Sequence, residues 1–445
     1  MRKALALFLG LLLWTSLGAA LEREPWEVFA GRRAKLLEKL SDGVTVLFAY
    51  TAGEGESIRS AFRQENNFYY LTGSNQPGAI LMLTPRMKER GSPVFAEVDQ
   101  VPPEILFLPG RDQRQERWTG LKVGPYDAGV AAQTGFAVVR SRELFERELS
   151  KAVAGFGRIH TLMPPARGRD SGRERRLLET LGKIAPLAEI ADARSTIAGL
   201  RVVKSPGEIE LIQKATDATI AAHLAAWKRA KPGLFEYQVA ATMQGILFER
   251  GCERPAYIPI VGAGFNGTIL HYAENSHRMD AGQLLLMDVG GEYSLYATDV
   301  TRTIPVSGKF SARQRELYDI VLGAQNAALA AVKPGMTLAR TGLNSLHQIA
   351  YQHINTRGKD QAGNPLGKYF IHGLSHQVGL EVHDPAPPDT VLQPGMVFTI
   401  EPGIYIPEER IGIRIEDMVL VTENGGKLLS GALPRQAEEI ERAMR

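Results

Sequence analysis

Four acidic residues are the side chains in this chain most able to do chemistry together. Asp288 and Glu401 each end an apolar run, LLLMD and VFTIE, and each stands six positions after a glycine. A second acid follows each of them, Asp299 after the first and Glu416 after the second. Because an unpaired carboxylate is costly to bury in apolar surroundings, we expect bound cations beside these acids.

Histidines are concentrated in one stretch, YFIHGLSHQVGLEVHDP, which holds His372, His376 and His383 out of nine in the chain. Four carboxylates carry about four negative charges, which matches two divalent ions, and a neutral imidazole nitrogen can complete the ligand set. An oxygen-rich set suits Mn²⁺, Co²⁺, Fe²⁺ or Zn²⁺ in an open geometry. Two such ions can hold one water between them and lower its pKa, so that hydroxide forms at neutral pH.

The sequence around these acids repeats. Lys-Pro-Gly at 231–233 and again at 333–335 follows an alanine-rich amphipathic helix, and each helix begins with a capping box, SPGE and SARQ. A further helical run, β-like segments with histidines, and an acid ending an apolar strand come after each stop. We therefore predict that residues 205–445 form a duplicated α+β unit whose two halves close around one site.

The residues before this unit have a different pattern. Three β-like runs, Val44–Tyr50, Ala79–Leu83 and Val94–Val98, follow a helical pattern at Glu27–Leu40. This mixture predicts an α/β domain over residues 21–195, which leaves residues 196–445 for the catalytic domain.

Residues 1–20 match a secretory signal. Arg2 and Lys3 precede the apolar run Ala4–Leu13, and small residues surround a cleavage point after Ala20. We therefore expect export to the periplasm or the medium, and no stable membrane span once the signal is removed. The single cysteine, Cys252, excludes an internal disulfide and is interpreted as a buried residue.

Charge and two partial motifs exclude other functions. A net charge of +3 from 52 basic and 49 acidic side chains, with no polybasic tail, argues against nucleic acid as a partner. Residues 262–267 spell GxGxxG, but 268–272 read as a strand, where a dinucleotide-binding motif needs a helix. Residues 373–377 begin like a serine-hydrolase elbow, but Gln377 replaces its second glycine.

The C-terminal part resembles the pita-bread metallopeptidases, the family of methionine aminopeptidase, aminopeptidase P, prolidase and creatinase. The residues that carry the resemblance are the family's five metal ligands in order, Asp288, Asp299, His376, Glu401 and Glu416. Residues 62–73, FRQENNFYYLTG, are similar to the aminopeptidase P branch. The resemblance implies an α/β creatinase-like N-terminal domain and an α+β pita-bread catalytic domain with an internal pseudo-twofold repeat.

The resemblance also implies roles for individual residues. Asp288 would bind one metal, His376 and Glu401 the other, and Asp299 and Glu416 would bridge the two. Glu401 would also carry the proton from the bridging water to the leaving nitrogen. The remaining catalytic candidates are His271, His372, His383, Tyr405 and Arg414, of which all but Arg414 would also bind the peptide substrate.

The function implied is that of a metal-dependent exopeptidase, with Mn²⁺ as the expected metal. It would release the N-terminal residue from peptides with proline in second position, by attack of a hydroxide that bridges two metals. Prolidase, which splits Xaa-Pro dipeptides only, remains an alternative because it uses the same ligands. A non-catalytic peptide- or protein-binding module is a remote one, since it predicts eroded ligands. The resemblance further implies a homodimer or homotetramer.

Overall fold

The computed structural model describes residues 21–55, 61–86, 101–164, 172–387 and 389–445. The predicted strand Val94–Val98 and the signal-like residues 1–20 lie outside these ranges. Before residue 205 the α-helices are α1 (Trp26–Lys39), α2 (Ala52–Gly55), α3 (Asn66–Thr72), α4 (Gln113–Thr119), α5 (Val130–Thr134), α6 (Phe145–Val153), α7 (Arg173–Ile184) and α8 (Arg194–Arg201). The strands in this part are β1 (Val44–Phe48), β2 (Ile80–Leu83), β3 (Glu104–Leu108), β4 (Val139–Ser141), β5 (Arg158–Thr161) and β6 (Glu189–Asp192).

These six strands form one mixed sheet in the order β4-β3-β2-β1-β5-β6. β1 pairs antiparallel with β2 and parallel with β5. All five residues of β1 are buried, as expected for a central strand covered on both faces. The predicted runs Val44–Tyr50 and Ala79–Leu83 are therefore confirmed as strands, with ends that differ by one or two residues.

The second part of the chain alternates helix pairs with antiparallel strands. Its α-helices are α9 (Pro206–Arg229), α10 (Glu236–Glu249), α11 (Ala312–Ala331), α12 (Leu346–Arg357) and α13 (Ala437–Ala443). Its strands are β7 (Arg254–Pro255), β8 (Ile260–Ala263), β9 (Leu284–Asp288), β10 (Gly291–Tyr293), β11 (Tyr296–Ala297), β12 (Thr301–Pro305), β13 (Val397–Ile400), β14 (Gly403–Ile406), β15 (Ile411–Arg414), β16 (Asp417–Thr422) and β17 (Gly425–Leu428).

The predicted internal repeat is present. Both long helices, α9 and α11, begin with the predicted capping boxes, in which Ser205 and Ser311 accept from the backbone N–H three residues on. β9 pairs antiparallel with β12, and β13 pairs antiparallel with β16 in the corresponding place of the second half. Each pair brings the end of one apolar strand next to the start of its partner, so the two acids of each half meet.

The two halves of the repeat touch main chain to main chain. A Cβ added at Gly412 in β15 would lie 1.8 Å from the carbonyl oxygen of Gly267, so only glycine fits there. Nearby, the fully buried Arg302 of β12 donates to the carbonyl of Glu416 and, at 2.8 Å, to Asp417. Loss of one partner of such a buried pair costs about 3–5 kcal/mol, so this contact fixes how the halves meet.

The strand predicted over 268–272 is absent, and that prediction was wrong. Residues 264–268 form a short 3₁₀ helix, and the chain then runs without regular structure to residue 277. Buried Glu236 holds the two ends of this stretch, because its carboxylate accepts from the backbone N–H groups of Ala263 and His277, at 2.7 and 2.8 Å. Within the segment, the N–H of Ile269 donates to the carbonyl of Asn266 at 3.1 Å, as in a turn and not as in a strand pair.

Two expectations about composition can be checked in the described ranges. Cys252 is buried and free, as interpreted from the sequence. No helix in the described part of the chain combines the length and the apolar character that crossing a bilayer requires.

Candidate active site

A cavity of about 730 Å³ opens between the two halves of the repeat. Nine of the ten candidate residues lie in its wall: Asp288, Asp299, His376, Glu401, Glu416, His271, His372, His383 and Arg414. The rest of the wall includes the apolar residues Ile258, Ile260, Leu270 and Val382. Tyr405, the tenth candidate, is buried behind this wall.

The strand register places the acids at the floor of the cavity. In the first half Asp288 ends β9 directly opposite Thr301, so Asp299 lies just beyond the same end of the hairpin. In the second half Ile400 is opposite Asp417, which puts Glu401 and Glu416 at the equivalent end. The sequence spacing of the acids therefore reflects two hairpins of the same design.

Burial, together with the charge of neighbouring carboxylates, raises the pKa values of three of the four acids. Burial, followed by the charge of Asp288, raises the pKa of Asp299 well above its usual value. Burial and the charge of Glu416 do the same to Glu401, and burial with the charges of Asp299 and Asp288 does the same to Glu416. Protein side chains alone therefore do not neutralise this cluster, and cations would.

His376 is oriented as a metal ligand. Its Nδ1 lies 3.2 Å from the carbonyl oxygen of Gln377, which can only accept, so Nδ1 carries the proton in the neutral ring. The lone pair of Nε2 then faces Asp299 at 3.4 Å and Glu401 at 3.5 Å. A divalent cation between these three groups would accept the lone pair of Nε2 and neutralise the two carboxylates.

Glu416 supplies a second sign of a missing partner. Its Oε2 accepts from the hydroxyl of Thr301 at 2.6 Å, but its buried Oε1 has no hydrogen-bond partner in the structure. One ligand atom from each of Asp299, His376 and Glu416 lies within 4.8 Å of the others. An orphaned carboxylate oxygen beside two further ligand atoms fits a divalent ion.

Tyr257 belongs to the site although sequence reasoning missed it. Its hydroxyl lies 2.5 Å from both Asp288 and Asp299, which are 31 and 42 positions away in the chain. It stands between β7 and β8 in a stretch without repeat, periodicity or motif. Only the fold reveals this contact, because nothing in the local sequence singles out this tyrosine.

Arg414 and Tyr405 form a chain of hydrogen bonds that ends on His372. Arg414 donates to Asp288 and, at 2.8 Å, to the hydroxyl of Tyr405. That hydroxyl lies 2.8 Å from His372 Nε2, while His372 Nδ1 lies 2.8 Å from the carbonyl of Gly373. Burial, with a smaller contribution from Arg414, lowers the pKa of His372 to about 3, so the ring is neutral.

This series of hydrogen bonds changes the interpretation of two predicted substrate-binding residues, His372 and Tyr405. Both ring nitrogens of His372 are engaged within the protein, which leaves no N–H to donate to a substrate carbonyl. Tyr405 is 3% exposed and packs its ring with Ile260, Tyr272 and Leu286, so it does not contact a peptide in the cavity. In this structure Tyr405 holds His372 by a hydrogen bond, and His372 forms part of the cavity wall.

His271 and His383 keep free ring nitrogens. Neither makes a hydrogen bond within the described residues, and both line the cavity. The ring of His383 lies 4.0 Å from that of His376, centre to centre. Burial and the nearby His376 lower the pKa of His383 to about 4, so its ring is neutral and offers one N–H at neutral pH.

The segment that carries His271, residues 264–277 (the His271 segment), is held by contacts within the catalytic domain. Besides its two backbone bonds, Glu236 accepts from the hydroxyl of Tyr272 at 2.8 Å and from Asn266 at 3.0 Å. Asn275 accepts from the N–H of Val261 in β8 at 2.8 Å. Neutral donors around one buried carboxylate therefore set the path of this segment.

The loop that carries His383, residues 377–384 (the His383 loop), is held by charged groups. Asp384 is buried and accepts from Arg201 at 2.6 Å and from Lys204 at 3.2 Å. Arg201 also donates to Asn67 of α3 at 2.7 Å. Burial alone would raise the pKa of Asp384, but the two cations outweigh it and hold the pKa below its usual value.

Comparison with known proteins shows the same two parts. A family model for metallopeptidase family M24 matches residues 210–423, and one for the aminopeptidase P N-terminal domain matches residues 29–160. The chain is 34% identical to an Xaa-Pro aminopeptidase of Haemophilus influenzae, over 96% of this chain and 99% of that protein. It is also 40% identical to an Xaa-Pro dipeptidase of Pyrococcus furiosus, but over only 57% of this chain and 70% of that protein.

The fold has solved counterparts. A structure of zinc-substituted aminopeptidase P from Escherichia coli in complex with product superposes with a TM-score of 0.80. Identity is 31%, and the match covers 95% of this chain and 99% of that one. The similarity therefore includes both the six-stranded N-terminal sheet and the duplicated unit around the cavity.

Proposed function

The chain belongs to metallopeptidase family M24, and on that premise we propose that it is a metal-dependent Xaa-Pro aminopeptidase. It releases the first residue from peptides that have proline in second position. The observation that carries this is the cluster of Asp299, His376 and Glu416 at the floor of a cavity wide enough for a peptide. The relative that matches along nearly the whole chain is an aminopeptidase of this kind, whereas the dipeptidase relative matches little more than half of it.

Five residues would hold the metals, and we propose Mn²⁺ as the physiological ion. Asp288 would bind one ion, His376 and Glu401 the other, with Asp299 and Glu416 shared between them. Bound divalent ions would supply Lewis acidity and lower the pKa of a water at the cavity floor. The orphaned oxygen of Glu416 and the lone pair of His376 both fit this arrangement.

The chain's own residues would complete the reaction. The carboxylate of Glu401 takes a proton from the attacking water and delivers it to the proline nitrogen as the bond breaks. That nitrogen belongs to a tertiary amide, so it has no proton of its own before the bond breaks. The free N–H groups of His271 and His383 bind carbonyl oxygens of the peptide, and Tyr405 with Arg414 keeps His372 in place.

The charges in the cavity wall favour longer peptides over dipeptides. A dipeptide places its carboxylate beside the reacting bond, where a free cation would bind it. In the described part of the wall there is no lysine, and the one arginine, Arg414, already donates to Asp288, Tyr405 and Thr301. A peptide that continues beyond proline does not bring this carboxylate into the cavity.

The test uses residues 21–445 loaded with Mn²⁺, offered Arg-Pro-Pro and Gly-Pro side by side, with products identified by mass. Free arginine from the longer peptide supports the proposal, and cleavage of Gly-Pro alone would replace it with dipeptidase action. The variant Glu401→Gln should lose turnover while keeping its fold by circular dichroism. Undiminished turnover of that variant would remove Glu401 as the proton carrier.

We also propose that the protein is exported by residues 1–20 and assembles as a homodimer or homotetramer. Expression of the full chain in a bacterial host, followed by N-terminal sequencing of exported protein, tests the first proposal. A mature N-terminus at Leu21 is expected, and retention of Met1 in the cytoplasm would contradict it. Light scattering of the purified protein tests the second, and a monomer would overturn it.

A further inference from the structure

The His383 loop is a short excursion whose two ends are pinned together. The N–H of Asp384 donates to the carbonyl of Gln377 at 2.9 Å, and the N–H of Val378 donates to Val397 at 3.0 Å. Between these ends lies the tip, Leu380–His383, which supplies Val382 and His383 to the cavity wall. Where His383 lies in the cavity therefore depends on what holds this tip.

Arg63 reaches this tip from the N-terminal domain. Its Nη2 donates to the carbonyl of Leu380 at 2.6 Å, across 317 positions of sequence. The same guanidinium is fixed on its other edges, by Glu292 of β10 at 2.7 Å and by the side chain of Asn66 at 2.6 Å. The guanidinium of Arg63 thus joins the N-terminal domain to two parts of the catalytic domain, β10 and the His383 loop.

We propose that Arg63 is a positioning residue that fixes His383 in the cavity from the N-terminal domain. The inference rests on the proposed function, in which His383 binds the peptide. Arginine suits this task because its donors lie in one rigid plane and can meet three acceptors at once. The ammonium of lysine is a single point on a flexible chain and cannot span the same three groups.

Arg254 of the catalytic domain is a matched control for the contact that Arg63 makes. Arg254 pairs with the same Glu292, at 3.2 Å, and donates to the carbonyl of Ala61 at 3.0 Å. It therefore crosses the same domain boundary and shares the same carboxylate. Neither of these two contacts reaches the His383 loop, so Arg254 separates interface stability from the placement of His383.

The experiment is a double-mutant cycle on the full-length, metal-loaded protein. Arg63→Met and Arg254→Met are each made alone and together with His383→Ala, and kcat and KM are measured on Arg-Pro-Pro. We expect Arg63→Met to lower kcat/KM about tenfold or more, because small displacements of a positioned group are costly in catalysis. It should have little further effect once His383 is alanine, and Arg254→Met should stay close to wild type.

A second measurement does not need turnover. Amide deuterium uptake of a peptide covering residues 378–384 should rise in Arg63→Met and not in Arg254→Met, with metal content unchanged in both. Equal effects of the two variants, or an Arg63→Met loss that persists undiminished in the His383→Ala background, would overturn the proposal. If the wild type cleaves no peptide, the proposed function fails, while the deuterium contrast still decides whether Arg63 holds the loop.

Discussion

The two cavity histidines with free nitrogens are held in different ways. The His271 segment is organised by Glu236, which accepts from Ala263, Tyr272 and other neutral donors of the same half. The His383 loop is held by cations, Arg201 and Lys204 on buried Asp384, and part of that network extends to α3 of the N-terminal domain. Both histidines line the same cavity as the carboxylates, but among the described residues only the His383 loop is hydrogen-bonded to the N-terminal domain.

This difference has a physical consequence. The hydrogen bonds that neutral donors make to Glu236 should respond weakly to changes in the N-terminal domain, because all of these donors belong to the catalytic domain. A buried ion pair is more sensitive to substitution or protonation, since loss of one partner leaves an uncompensated charge. We therefore expect substitutions and acid to affect the two histidines unequally.

The largest expected effect comes from Asp384→Asn. Arg201 and Lys204 would remain buried beside a neutral side chain, which should cost about 3–5 kcal/mol in the free energy of unfolding. Urea denaturation measures this loss, and metal analysis should show the ions retained. Glu381→Gln is the control, because Glu381 contacts the same Arg201 from a half-exposed position and should cost little. Equal losses in the two variants would remove the distinction.

Glu236→Gln should have the next largest effect, on the other side of the comparison. An amide at this position turns one acceptor oxygen into a donor that faces other donors, which should cost about 2–3 kcal/mol. Catalysis should fall through His271, so a further His271→Ala change should add little to the loss in kcat/KM. Glu249→Gln, on the exposed end of the same helix, serves as control. An unchanged urea midpoint in Glu236→Gln would contradict the conclusion that this carboxylate holds the His271 segment.

Acid should reproduce a weaker form of the first effect. Because the pKa of Asp384 is held below its usual value, its contribution to stability is complete above the unfolded pKa of about 4 and is lost as pH falls through the lower folded value. The stability difference between wild type and Asp384→Asn should therefore be constant from pH 7 to 5 and shrink below about pH 4. Urea midpoints across this range measure it, and a constant difference down to pH 3 would contradict the ion-pair account.

The smallest expected effect is that of Tyr272→Phe. This change removes one bond to Glu236 and the acceptor of the Ser276 N–H, and it leaves the ring packed against Leu286, so a loss of about 1–2 kcal/mol is expected. Calorimetry measures the shift in melting temperature, with Tyr237→Phe as the control on a half-exposed ring. A shift as large as that of Glu236→Gln would mean that Tyr272, and not the carboxylate as a whole, organises the segment.

That the four acids lie together could be predicted from the sequence, because each pair of acids belongs to one local unit. An apolar strand that ends in an acid, followed within a hairpin by a second acid, leaves its pattern in adjacent residues. The capping boxes of α9 and α11 are equally local, and the structure confirms each of the two capping boxes. Comparison with known relatives likewise confirms the family and the pita-bread fold, which the order of the five ligands had indicated.

What the sequence did not predict depends on distant contacts. The segment over 268–272 has strand-like composition, but the stretch that contains it is held at both ends by the carboxylate of the distant Glu236. Tyr257 acquires its role from acids 31 and 42 positions away, and Arg63 from a carbonyl 317 positions away. The family resemblance implied that His372 contacts substrate, whereas the fold places the hydroxyl of Tyr405 on its second nitrogen.

The contact between Gly412 and Gly267 limits how this protein can change. Since a methyl group at 412 would overlap a carbonyl of the other half, every substitution there must push the two repeats apart at the site they enclose. In a comprehensive mutational scan, position 412 should tolerate no replacement, while exposed positions a few residues away accept many. The close approach of the two halves would thus make position 412 one of the least evolvable positions in the chain.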